Sequence, residues 1–105
     1  GEADGIETLV FDEVDAGVGG STALALARVL ARLAATHQVI VVTHLAQVAV
    51  VGGCHYLVLK SGGKLPQTTI RPIEGEERVV EVARMLSGDE SDVSIAHARQ
   101  MLADA

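Results

Sequence analysis

The chain has 105 residues, 49% of them apolar, 2% aromatic and 21% charged, with a formal net charge of −6. That apolar share sets it apart from disordered chains and supports one modest core rather than two. Phe11 and Tyr56 are the only aromatics, too few for a stacking platform for single-stranded nucleic acid, and no apolar run approaches the roughly 20 residues of a membrane span.

Residues 7–12, Glu-Thr-Leu-Val-Phe-Asp, are an apolar run ended by acids and predict a buried strand. Residues 14–20 hold Gly17, Gly19 and Gly20 and predict a loop. Ser21 or Thr22 can then cap a helix that runs to about residue 35. Its Leu24, Leu26, Val29, Leu30 and Leu33 give the broad apolar face of a helix packed on a sheet. Residues 38–43, Gln-Val-Ile-Val-Val-Thr, are β-branched and nearly all apolar, which predicts a strand covered on both faces. Strand, helix and strand make one βαβ unit with parallel strands and a right-handed crossover.

Residues 45–51 predict a short helix stopped by Gly52-Gly53. A third strand over 54–60, a turn over 61–64 and a fourth strand over 67–72 read as a hairpin. The spacing predicts a helix over 76–86, a break at Ser87-Gly88-Asp89, and a last helix capped by Ser91 or Asp92 and running through 103. The fold class is α/β. Two parallel strands are few for a free-standing sheet, so the chain reads as part of a larger domain, completed by another chain or by further sequence.

All fourteen acids lie in 2–15 or 74–104, while residues 16–73 carry five bases and no acid. The terminal segments read as solvated faces, and the acidic total argues against a main DNA-gripping surface, since phosphate binding is largely neutralisation by Lys and Arg. The acidic opening Gly1-Glu2-Ala3-Asp4 is unlike a secretory leader, and the single cysteine, Cys54, fits a reducing, cytoplasmic setting.

Ligands of open α/β sheets lie beyond the carboxyl ends of the strands. Here the first strand ends in Asp12-Glu13 and the second in Thr43-His44. One βαβ unit separates them, so both pairs face one crevice. Asp12 suits a magnesium ion, held directly or through water, because Mg²⁺ takes a few hard oxygens and keeps several waters. Glu13 suits polarising a water for in-line attack on a phosphoryl group, and His44 suits a hydrogen bond to a γ-phosphate. Alone, each has a plainer reading: a solvated strand end, a structural histidine. Together, with a glycine loop between them, they point to phosphate chemistry.

These strings carry a resemblance. Thr8-Leu-Val-Phe-Asp-Glu13 resembles the Walker B motif of ABC-type ATPases, Val14-Asp15-Ala16-Gly17-Val18-Gly19-Gly20 their D-loop, and Val42-Thr43-His44 their switch-histidine loop. Val14 stands where the transporters of this superfamily usually have proline, as in its chromosome-maintenance (SMC-like) branch. The longer strings over 11–20 and 41–49, and the tail over 77–88, are similar to bacterial DNA-repair members of that branch. The resemblance covers nearly the whole chain.

What it implies is the C-terminal lobe of an ABC-type P-loop ATPase head: parallel strands with flanking helices, then a hairpin and two helices, incomplete on its own. ATP and Mg²⁺ would be the cofactors. Asp12 would help hold magnesium, Glu13 would be the general base, and His44, with Thr43 beside it, would meet the γ-phosphate. Asp15 would lie at the dimer interface, with Gly17, Gly19 and Gly20 letting the backbone pass close to the partner. The implied partners are an N-terminal Walker A lobe of the same protein, a second head in a homodimer that sandwiches two ATP molecules, and DNA through the full assembly. No membrane partner is implied. The setting would be cytoplasmic and nucleoid-associated, and the process double-strand-break repair.

The chain departs from the superfamily pattern in having no GxxxxGK[ST] phosphate loop, no Q-loop and no signature motif before Walker B. Alone, it is therefore expected to be inactive. Leu86-Ser87-Gly88-Asp89-Glu90 mimics a signature motif, but it follows the switch histidine and puts Asp89 where phosphate approach needs glycine. It reads as a helix end and turn. An alternative function is a docking or dimerisation module without turnover; a transporter domain fits less well because of Val14. His37, His55 and His97 lack metal-ligand spacing, and Cys54 reads as a small buried residue rather than a reactive thiol. Arg28 and Arg32 share a helix face at i, i+4, suited to phosphate or, more simply, to solvent.

Overall fold

The computed structural model describes residues 7–12 and 20–105. Within them the elements run β1 (Thr8–Asp12), α1 (Gly20–Leu33), β2 (Gln38–Val42), α2 (Ala46–Ala49), β3 (His55–Lys60), β4 (Thr68–Ile73), α3 (Gly75–Ser87) and α4 (Asp92–Asp104). The architecture is α/β, with β1 and β2 forming one two-stranded sheet and β3 and β4 another.

β1 and β2 pair in parallel, from Thr8 opposite Gln38 to Asp12 opposite Val42. Alternation along each strand puts Leu9, Phe11, Val39 and Val41 on a half-buried face. The opposite face is bare: Val10 is 65% exposed, Ile40 47% and Val42 50%. The expectation of a first strand that is buried, and of a second covered on both faces, therefore fails within this chain. The residues are those of a two-sided core strand, but among the described residues α1 is the main element packed on this sheet.

α1 buries Ala23, Ala27 and Leu30, spaced i, i+4, i+7 along one face, and packs on α2 and β2. It begins at Gly20, so Ser21 and Thr22 fall inside the first turn rather than at the cap. It ends at Leu33, short of residue 35, where the Leu33 carbonyl accepts from the backbone N–H of Thr36 (3.1 Å) and of His37 (2.9 Å). The Gln38 N–H then donates to the Glu7 carbonyl at 2.9 Å and starts the parallel ladder. Arg28 and Arg32 are both exposed, in line with the solvated reading.

α2 is shorter than expected, four residues instead of seven. β3 and β4 form the antiparallel hairpin that the sequence predicts, from His55 opposite Ile73 to Lys60 opposite Thr68. Ser61 and Gln67 close it: the Ser61 N–H donates to the Gln67 carbonyl (2.8 Å), and the Ser61 hydroxyl accepts from the Gln67 N–H (3.0 Å). Cys54 is exposed, contrary to the buried reading. β3 starts one residue later than expected, at His55, and leaves Cys54 in the surface turn after Gly52-Gly53.

The core lies between α2, α3 and α4. Val79, Val82 and Ala83 of α3 are buried with Ala46, Val50 and Ala98, and Leu86, Ile95 and Met101 pack around them. Gly88, at φ 78°, ends α3 in the left-handed conformation, its N–H donating to the Arg84 carbonyl at 2.7 Å. Ser91 caps α4, its hydroxyl accepting from the Ser94 N–H at 3.3 Å. Between the helices, one Asp89 carboxylate oxygen accepts from the Ser91 N–H (3.1 Å) and from the hydroxyls of Ser87 (3.0 Å) and Ser94 (3.1 Å). The string resembling a signature motif is thus a helix end and turn, with its aspartate satisfied locally.

Candidate functional site

Parallel pairing points the carboxyl ends of β1 and β2 the same way. Asp12 is the last residue of β1 and stands opposite Val42, the last residue of β2. Thr43 and His44 follow Val42 directly, so the backbone register brings Asp12 and the Thr43-His44 turn to one end of the sheet. Asp12 and His44 are exposed and Thr43 is half-buried. The Thr43 hydroxyl accepts from the Leu45 N–H at 3.0 Å, which folds the chain sharply into α2. The Leu45 carbonyl then accepts from the N–H groups of Val48 and Ala49, each at 3.1 Å.

Of the other sequence-predicted site residues, Glu13, Asp15, Gly17 and Gly19 lie outside the described residues. Gly20 opens α1. The described part of the site is therefore one carboxylate, one hydroxyl and one imidazole at a sheet end. Among the described residues, no group of three or more His, Cys, Asp or Glu side chains converges on a metal position. A single exposed carboxylate fits Mg²⁺, which keeps several waters, better than it fits a metal that needs a full protein cage.

A cavity of about 400 Å³ opens beside this turn, with Thr43 and His44 on one wall, His55 and Tyr56 of β3 on another, and Glu81 and Arg84 of α3 behind. Arg84 is turned onto Glu81, its Nε donating to a carboxylate oxygen at 3.0 Å. A larger cavity of about 800 Å³ lies away from the strand ends, between the α2–β3 turn and the end of α4, and its cations are engaged. There Arg99 grips Glu76 with two hydrogen bonds, one of them 2.7 Å long, and Arg78 is turned onto backbone carbonyls.

Sequence reasoning set His55 aside because it lacks metal-ligand spacing. Its ring is half-buried and its Nδ1 is buried without a partner. Burial pushes its pKa below the ordinary histidine value and the nearby Arg78 charge pushes it the same way, with Glu81 opposing. The ring is thus held neutral beside the His44 turn. No spacing in the sequence signals this, because its neighbours come from α3, more than twenty residues on.

No protein-family model matches the chain. The chain is 56% identical over 96 residues to the DNA repair protein RecN of Mycobacterium leprae, an alignment covering 90% of this chain and 16% of that protein. It is 51% identical over 98 residues to the RecN of Deinococcus radiodurans, covering 91% of this chain and 17% of that one. This sequence is a segment of the RecN family. The RecN of Streptomyces coelicolor matches at 49% over 104 residues, 97% of this chain and 18% of its own length. The chain thus spans about one sixth of the RecN proteins it matches. Among its described residues, no helix is long and apolar enough to cross a membrane.

Proposed function

We propose that this segment is the C-terminal lobe of a RecN-like ATPase head, in the SMC-like branch of the ABC-type ATPases, and that it takes part in ATP binding and hydrolysis during DNA double-strand-break repair. The observation that carries this reading is the parallel register that sets Asp12 beside the Thr43-His44 turn at the carboxyl end of β1 and β2, where α/β sheets bind ligands. The likeness to RecN proteins, DNA repair proteins by name, supports the process.

In this reading Asp12 is the magnesium-holding carboxylate, and the bound ion supplies positive charge at the phosphates. Glu13 takes a proton from the attacking water. The water oxygen bonds to the γ-phosphorus as the bridge to the β-phosphate breaks, giving ADP and phosphate. His44 hydrogen-bonds the γ-phosphate and Thr43 shapes the turn that presents it. Asp15 faces a second head in a homodimer, and Gly17, Gly19 and Gly20 let the backbone approach it. ATP closes the two heads and hydrolysis releases them, with DNA held by the assembly in the cytoplasm, at the nucleoid.

The chain has no GxxxxGK[ST] loop, so the phosphate cradle comes from an N-terminal Walker A lobe. The bare face of Val10, Ile40 and Val42, and a second edge of β2 that pairs with no strand among the described residues, are consistent with such a lobe completing the sheet.

The test mixes this chain with the Walker A lobe of a RecN protein and measures magnesium-dependent ATP hydrolysis. Activity is expected only in the mixture and is expected to vanish with Glu13→Gln. Stable association without hydrolysis would instead leave a docking or dimerisation module and sink the catalytic assignment.

A further inference from the structure

We propose that Arg78 is a positioning residue for His44, holding the turn that carries it through the short helix α2. The inference rests on the reading of His44 as the phosphate-contacting group. It names a residue on α3 to which no role in the site was assigned.

α2 spans only four residues, and no side chain caps its N-terminus. Isolated helices of this length do not persist in water. Ala46 and Val48 are both buried and, two residues apart, lie on different faces, with α2 set between α1 and α3. The C-terminal end of α2 is held by Arg78. A single guanidinium nitrogen, Nη2, donates to the carbonyls of Ala49 (3.1 Å), Val50 (3.4 Å) and Gly52 (2.8 Å). The Ala49 carbonyl also accepts from the Gly52 N–H at 3.2 Å, and Val50 and Gly52 lie at and beyond the C-cap of α2, the end of a helix where carbonyls run short of intrahelical donors and a cation is favourable. An arginine that merely covered apolar surface would keep its charged head in water. Here the head is turned inward, and its Nε is buried with no partner, an unfavourable placement that the three carbonyl bonds offset.

The geometry then runs from α3 to the site in two short steps. Arg78 fixes the C-terminal end of α2, and the first residue of α2, Ala46, is two residues from His44. Leu45, between them, is bonded on one side to the Thr43 hydroxyl and on the other to Val48 and Ala49. Arg78 does not line the cavity beside His44, so its hold on the His44 backbone runs through α2, while its charge also acts on His55, which does line that cavity. Loosening the clasp lets α2 fray, and the turn at Thr43-His44 loses the helix that sets its direction.

The test uses this chain with three substitutions. Arg78→Met keeps most of the stem and removes the donors. Arg78→Lys restores the charge and some of the donors. Val82→Ala, in the same helix, lowers the stability of the core shared with Ala46 and Val50 while leaving the Arg78 donors in place. Amide hydrogen exchange and the His44 ring signals in NMR are read in each. In Arg78→Met, exchange at Val48, Ala49 and Val50 is expected to rise at least tenfold relative to α4, and the His44 ring signals to shift. Arg78→Lys is expected to recover part of both, and Val82→Ala to leave the α2-to-α4 ratio and the His44 signals in place. Unchanged α2 exchange and His44 signals in Arg78→Met would overturn the proposal, as would Val82→Ala moving them equally. If Arg78→Met does not fold, Arg78→Lys decides, with the same amides expected to exchange a few-fold faster. Combined with the Walker A lobe, Arg78→Met is expected to lower kcat about tenfold with little change in KM for ATP. A wild-type mixture without hydrolysis would defeat the ATPase reading alone, since the exchange and ring signals judge Arg78 independently.

Discussion

The β1–α1–β2 half and the α2–α3–α4 half of this molecule solve the problem of burial differently. The second half closes on itself: Val82, Ala83 and Ala98 are fully buried, and Val79 and Val50 nearly so. The first half carries apolar residues of the same kind, yet Val10, Ile40, Val42, Leu24 and Val29 stand in water. Burying a valine or isoleucine side chain is worth about 1.5–3 kcal/mol. A sheet that leaves three of them on one face is therefore short of a large share of its possible stabilisation. The residues proposed to meet ATP sit at the end of this open sheet. The closed half holds the short helix that leads into it. The scaffold is finished where it supports the site and unfinished where the site needs a second wall.

Two substitutions in the closed half and a third in β3 beside it test that contrast, in order of expected effect. Val82→Ala removes two methyl groups from a fully buried position and should cost about 2 kcal/mol in chemical denaturation. A cost below about 0.5 kcal/mol, the level of a neutral surface change, would mean that this core is as loose as the other half. Ser91→Ala removes the hydroxyl that caps α4 and should cost about 1 kcal/mol.

His55→Leu should act chiefly on pH dependence. The His55 pKa is depressed in the folded chain by burial and by Arg78. Its neutral form therefore contributes stability that is fully present above the unfolded value of about 6.5. That contribution is lost as pH falls through the depressed value. Wild type should lose stability on acidification through this window, and His55→Leu should lose less. Parallel profiles in thermal melts between pH 7 and 5 would remove His55 as the cause.

Much of this was legible in the sequence because the signals were local. The β-branched run after residue 38 and the apolar run before Asp12 mark two strands, and the helical pattern between them makes the connection long enough for a parallel crossover. That alone makes the pairing parallel and brings Asp12 to Thr43 and His44. The turn at Gly88 and the cap at Ser91 were equally local. What stayed hidden depends on contacts across the chain. The periodicity of Val39 to Val42 says that both faces of the strand can be covered, not that the covering residues belong to these 105. Cys54 was misplaced by one residue at a strand start, where a shift of one moves a side chain from strand to turn. No spacing in the sequence marks His55, and the string over 77–88 that holds Arg78 gives it no role; both roles come from α3 lying against the α2–β3 turn.

The smallest expected effect cuts deepest into the comparison of the two halves. Ile40→Thr keeps the β-branched shape and strand preference while taking apolar surface from the bare face, where Ile40 is 47% exposed and stands opposite Val10. In the chain by itself the change should move stability by no more than about 0.5 kcal/mol, because the side chain is already largely in water. With the Walker A lobe present, the same residue is expected to be buried. Ile40→Thr should then weaken association of the two measurably, by calorimetric titration, while Ser91→Ala in the closed half should not. A large destabilisation of the isolated chain would mean that something within it already covers this face. A small effect both alone and in the mixture would mean that the bare face is ordinary surface, and the open half would lose its claim to be one side of a larger sheet.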